Sequence, residues 1–177
     1  MDEAYHEYAL AVGVPDATRW LDRFPNLVVT RTFSKAYGLA GIRVGYCLSS
    51  VQVADVLNRV RQPFNVNSLA QSGAETALAD RDFIAASVRS NQAGLEQLGR
   101  GFEALGLGAT PSAGNFMLVE LPVQPELAYE GMLRRGVIVR PVGNYGLDRH
   151  LRITVGTPGQ NERMLTALGE VLGERAP

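Results

Sequence analysis

Apolar positions along the chain change their period several times, and each change predicts an element. Short β-rich blocks at 27–31 and 44–48 bracket a glycine-punctuated loop, so two strands are expected there with the loop between them. Helical spacing then takes over: Ser68 is placed to cap a helix to about Ala79, and Asp82 a longer one through Leu105. In the longer helix Ile84, Val88, Leu95, Leu98, Phe102 and Leu105 share a face, and Gly106 and Gly108 end it. Strands are expected at 116–121, 137–140 and 151–155, with helices at 125–135 and 158–172, the last started by Thr157 before Pro158.

The second half therefore reads as a small α/β domain joined through the long helix to whatever the first half belongs to. Two strands and a few turns cannot bury both faces of a parallel sheet, so the first half reads as part of a larger one. Apolar surface is expected to be exposed, with self-association or pairing to a complementary segment.

Composition is that of an ordinary globular chain, 46% apolar over 177 residues. Seventeen basic against eighteen acidic residues give a net charge of -1, which leaves no cationic excess for a phosphate backbone and argues against nucleic acid. Met1 is followed directly by Asp2 and Glu3, no signal-type start is visible and no apolar run approaches a membrane span, so a cytoplasmic protein without membrane contact is expected. Cys47, the single cysteine, lies in the second β-rich block and is expected to pack in the core. His6 and His150 are read as isolated, and no metal is expected. The glycines at 38, 41 and 45 have no strand-turn-helix frame with a following acidic residue, which argues against a nicotinamide cofactor.

The densest chemistry lies in Arg31-Thr32-Phe33-Ser34-Lys35-Ala36-Tyr37-Gly38-Leu39-Ala40-Gly41-Ile42-Arg43, with Asp2-Glu3-Ala4-Tyr5 near the start. A pyridoxal phosphate site needs an amine for the aldehyde, a carboxylate for the pyridine nitrogen, a donor for the ring oxygen and a cation for the phosphate. Lys35, Asp2, Tyr5 and Arg43 are one residue of each kind.

These segments resemble fold-type I pyridoxal phosphate-dependent aminotransferases, and most closely the histidinol-phosphate aminotransferases, over the C-terminal half of such an enzyme. The resemblance implies an α/β fold in three parts: a partial large-domain sheet (1–81), an interdomain helix (82–105) and a small C-terminal α/β domain (106–177). It implies that Lys35 is the Schiff-base lysine and proton carrier, a role that requires a neutral amine, which nearby positive charge and partial desolvation favour. Asp2 would keep the pyridine nitrogen protonated, Tyr5 would donate to the ring oxygen, and Arg43 with the Thr32 and Ser34 hydroxyls would hold the phosphate. Thr32 and Ser34 serve ordinary loop hydrogen bonding equally well.

The resemblance further implies that Arg152 takes the anionic group of the substrate, that Arg140 adds a second charge, and that Asn115 faces the substrate; strand-end structure explains Arg140 and Asn115 as readily. The implied reaction moves an amino group between histidinol phosphate and 2-oxoglutarate, yielding imidazole acetol phosphate and glutamate, in histidine biosynthesis by a homodimer with shared sites. Other amino-acid aminotransferases and phosphothreonine-type decarboxylases share the same lysine, aspartate and arginines. The phosphate-binding loop, ring-stacking aromatic residue and asparagine that the family draws from its N-terminal half are not visible here, so an inactive fragment is the reading of another class.

Overall fold

The computed structural model describes residues 1–174. The chain divides into two compact units, Met1–Val88 and the residues from Arg89 onward.

In the first unit, β1 (Val28–Thr32) and β2 (Gly45–Ser49) pair antiparallel, with Thr30 opposite Cys47 and Arg31 opposite Tyr46. The first residues of the chain lie along the other edge of β1. Asp2 bridges Thr30 in parallel, the Glu3 N–H donates to the Thr30 carbonyl at 2.8 Å, and the Thr30 N–H donates to the Met1 carbonyl at 2.9 Å. Gly45 is required where it stands, because a Cβ there would lie 2.7 Å from the Arg31 carbonyl oxygen. Three helices complete the unit: α1 (His6–Ala11), α2 (Val51–Val60) and α3 (Ser68–Ala79). Along α2 the apolar Val56, Leu57 and Val60 are exposed, as are Phe64 and Leu69 beyond it, so apolar surface is open to solvent as the sequence led us to expect.

α4 (Arg81–Ala104) crosses from the first unit into the second. The second unit is a four-stranded antiparallel sheet of β3 (Ala109–Thr110), β4 (Phe116–Glu120), β5 (Arg140–Pro141) and β6 (His150–Thr154), in the order β3-β4-β6-β5. Met117 and Val119 of β4 and Leu151 and Ile153 of β6 alternate into a core with Leu98 and Phe102 of α4. That core is closed by α5 (Pro125–Arg134) through Met132 and by α6 (Pro158–Gly173) through Leu168 and Val171. The Thr157 start of α6 is a capping box, in which the Gln160 side chain accepts the Thr157 N–H at 2.9 Å.

Several expectations are corrected. Cys47 is exposed, because side chains alternate along β2 and Cys47 shares its face with the exposed Thr30 opposite. The cap of α3 is Asn67, whose Oδ1 accepts the Ala70 N–H at 2.9 Å; Ser68 is already helical. Asp80 plays the same part for α4, accepting from the Phe83 N–H at 3.0 Å, and Asp82 sits in the first turn. Of the 137–140 block only Arg140 pairs with β6, and the strand continues one residue beyond it to Pro141. Helices α1 and α2 and the short strand β3 were not anticipated from the apolar pattern.

Candidate active site

Lys35 lies in the connection from β1 to β2, which is folded tightly on itself. The Gly38 N–H donates to the Lys35 carbonyl at 2.9 Å, and the Leu39 N–H to the Phe33 carbonyl at 2.9 Å. Gly38 takes φ +71, a left-handed turn that a side chain would strain. Phe33 and Ala36 are 3% and 2% exposed, so the lysine is held between two buried anchors while its own side chain stays partly accessible. Its ammonium stands over the Tyr5 ring, 5.5 Å from the centroid.

The neighbouring candidates come from the same unit. Asp2 is exposed and its Oδ1 accepts the Ala4 N–H at 2.9 Å. The Thr32 hydroxyl accepts the Ser34 N–H at 3.1 Å, the loop role that the sequence had left open beside the cofactor role. Arg43 takes φ 55, rare for a residue with a side chain, and its Nη1 donates to the Ala40 carbonyl at 2.8 Å. The other guanidinium nitrogens of Arg43 have no hydrogen bond or ion pair among the described residues. One unit thus brings together an amine, a phenol ring, an exposed carboxylate and a guanidinium with spare donors.

On the face of β1 opposite to that of Thr30 is a group that sequence reasoning missed. Arg31 Nε donates to Glu3 Oε2 at 2.9 Å and its Nη2 to Asp16 Oδ1 at 2.7 Å, while the Ala17 N–H donates to Glu3 Oε1 at 2.8 Å. His6 is not isolated: Nδ1 lies 3.3 Å from Glu3 and Nε2 3.8 Å from Asp16. Glu3, His6 and Asp16 have the spacing of a metal cluster, yet the guanidinium already bound between the two carboxylates supplies the positive charge there. Burial, the largest single influence, disfavours the Asp16 anion; the Thr18 hydroxyl and amide with Arg31 and His6 outweigh it and hold its carboxyl below the usual range. Burial is also the main cause that raises the Tyr37 phenol, followed by the charge of Glu7. Strand alternation was the available signal, since Asp2 and Glu3 must face opposite sides.

In the second unit the register of β5 on β6 sets Arg140 directly opposite Arg152. The Arg152 guanidinium lies 5.2 Å from the centroid of the Phe116 ring, and its Nε is buried with no hydrogen-bond partner. An unpaired buried donor beside a second cation is suited to an anion. Asn115 is fixed through its backbone. Its carbonyl accepts the Val155 N–H at 2.9 Å, while the adjoining Gly114 carbonyl accepts Asn91 Nδ2 at 3.0 Å and the Gly114 N–H donates to Ser112 Oγ at 3.0 Å.

The family model of aminotransferase class I and II matches residues 1–168. The chain belongs to the aminotransferase class I and II family.

Among aminotransferases of this family, it is 58% identical over 172 residues to histidinol-phosphate aminotransferase 2 of Pseudomonas aeruginosa, covering 97% of this chain and 47% of the relative. Histidinol-phosphate aminotransferase 2 of Methylococcus capsulatus is 53% identical over 172 residues, with 97% and 46% covered. The solved histidinol-phosphate aminotransferase of Sinorhizobium meliloti, in complex with pyridoxal-5'-phosphate, superposes with a TM-score of 0.87 at 33% identity over 99% of this chain and 48% of that one. L-threonine-O-3-phosphate decarboxylase of Porphyromonas gingivalis gives 0.85 at 25% identity, over 97% and 54%. These aminotransferase relatives bear out the fold-type I α/β class read from the sequence. The chain spans about half the length of the relatives it matches. Family membership and the solved complex imply pyridoxal phosphate as the family's cofactor, and the amine, carboxylate, phenol and guanidinium of the first unit fit it chemically. Among the described residues no helix is long and apolar enough to cross a membrane.

Proposed function

We propose that this chain carries the lysine-bearing half of a histidinol-phosphate aminotransferase, a cytoplasmic homodimer of histidine biosynthesis. The observation that carries the reading is the Lys35 ammonium over the Tyr5 ring, in the unit that also holds Asp2 and Arg43. Residues 1–81 would belong to the cofactor-binding domain, 82–105 to the helix between domains and 106–177 to the substrate-side domain, of which 175–177 lie outside the described residues.

When bound, pyridoxal 5'-phosphate supplies an electron sink that makes the α-proton of an amino substrate removable. Lys35 Nζ would hold the cofactor at its aldehyde carbon, and the same amine would serve as the base that takes up and returns the α-proton of the substrate. Asp2 would keep the ring nitrogen protonated and Tyr5 would donate to the ring oxygen. Arg43, with Thr32 and Ser34, would hold the phosphate. Arg152 and Arg140 take the anionic end of either substrate, the phosphate of histidinol phosphate or a carboxylate of glutamate and 2-oxoglutarate, and Asn115 borders the same pocket.

The test is the absorbance spectrum of the purified chain with added pyridoxal phosphate, before and after borohydride, with the modified peptide mapped by mass spectrometry. A reducible band fixed at Lys35 and lost in Lys35→Ala supports the reading; a colourless chain favours an inactive fragment. The likeness to the Porphyromonas gingivalis decarboxylase makes phosphothreonine decarboxylation the second reading. Carbon dioxide release from phosphothreonine, against transfer from histidinol phosphate, separates the two.

A further inference from the structure

Asp2 and Glu3 are adjacent carboxylates on an extended segment, so one faces each side of the sheet. Among the described residues one bridge, Asp2 to Thr30, and three backbone hydrogen bonds hold that segment on β1: the Glu3 N–H to the Thr30 carbonyl, the Thr30 N–H to the Met1 carbonyl, and the Met1 amine to the Val28 carbonyl at 2.8 Å. A pairing this short specifies its register weakly, and a slip of one residue would exchange the two carboxylates between the faces. The side chains of the inner face add to this short backbone pairing. Arg31 is on β1, four residues before Lys35, and grips Glu3 through Nε at 2.9 Å and Nη2 at 2.8 Å; both side chains are only 11% exposed. Its second arm reaches Asp16 at 2.7 Å, and Glu3 is held again by the Ala17 N–H at 2.8 Å.

We propose that the Glu3–Arg31–Asp16 ion-pair group is a register clamp, which fixes Asp2 and Tyr5 relative to Lys35 and keeps Asp2, rather than Glu3, on the outer face. Near-buried ion pairs contribute little net stability against an apolar replacement, and a defined register is the better-attested return for their desolvation cost. These residues touch neither substrate nor cofactor in the proposed site; they are positioning residues. The inference rests on the proposed cofactor role of Asp2, Tyr5 and Lys35 for its consequence, but not for the clamp itself.

Two measurements on the full chain test it separately. Hydrogen exchange of the Glu3 and Thr30 amides, which make two of the bonds between the segment and β1, is compared in wild type, Glu3→Gln, Arg31→Met and the milder Asp16→Asn. Expected is a rise of at least about tenfold at both amides in Glu3→Gln and Arg31→Met, with a smaller rise in Asp16→Asn and unchanged exchange in β4 and β6. Unchanged exchange at Glu3 and Thr30 overturns the clamp, whether or not the chain binds cofactor. The second measurement is the pH midpoint of the absorbance band formed with pyridoxal phosphate. A shifted midpoint in Glu3→Gln and Asp16→Asn, with the adduct still mapped to Lys35, supports positioning toward the cofactor. Faster exchange with an unmoved midpoint reduces the group to a structural tie and overturns that part. A wild-type chain that forms no adduct refutes the functional reading and leaves amide exchange to decide the clamp.

Discussion

Arg140 on β5 stands directly opposite Arg152 on β6, two cations at one rung of an antiparallel ladder. Like charges in that position repel by a few tenths of a kcal/mol to about 1 kcal/mol, so the pair is unfavourable until an anion joins it. Arg140→Gln is therefore expected to leave the free chain as stable as wild type or slightly more so. The same substitution, and Arg152→Gln, should weaken the stabilisation that millimolar inorganic phosphate confers on wild type in thermal unfolding. Equal phosphate stabilisation in all three chains would remove these arginines from the substrate site.

Gly94, in the second unit, reverses a general rule. In an exposed helix Gly→Ala stabilises by about 1 kcal/mol. Here an added Cβ would lie 2.3 Å from Val155 Cγ1 and 3.2 Å from Asn161 Nδ2, within the contact of α4 with the end of β6 and the start of α6. Gly94→Ala should cost about 1–3 kcal/mol by urea unfolding. A gain in stability would show that the packing yields.

Asp16 contributes to the acid sensitivity of the first unit. Its carboxyl is lowered from the ordinary 3.8, so the stabilisation is fully present above that pH and is lost as pH falls through the lower, folded value. The side chain is 37% exposed, and solvent screening makes the effect modest. In Asp16→Asn the decline of stability below pH 3.8 should be shallower than in wild type, as followed by circular dichroism against pH.

Cys47 should react with a thiol reagent in the native chain without denaturant, since its side chain is exposed on the outer face of β2. Reaction only after unfolding would mean that this face is covered in solution, as by a second copy.

Asn91 is 7% exposed and donates from Nδ2 to the Gly114 carbonyl, beside Asn115. Asn91→Asp replaces that donor with an acceptor facing an acceptor, and a loss of about 1–3 kcal/mol is expected. Asn91→Ala removes the bond without the repulsion and should cost less in the same denaturant titration.

The linear order of residues determined a good deal here. Lys35 between two β-rich blocks, the long helix with Leu98 and Phe102 on one face, and the Thr157 start of α6 are all local patterns, and local hydrogen bonding with apolar periodicity is what sequence records directly. The motif around Lys35 carried the family resemblance for the same reason. What escaped the sequence depends on partners distant in the chain. Cys47 looked like core because its block is apolar, and only the pairing with Thr30 shows that its face of the two-stranded sheet is open. Glu3, Asp16 and Arg31 are unremarkable charges in sequence; three loop and strand segments had to converge before they became one ion-pair group. Register has the same origin: a one-residue offset reverses every side chain of a strand, so whether Arg140 meets Arg152 and whether Asp2 or Glu3 faces outward are decided by tertiary pairing.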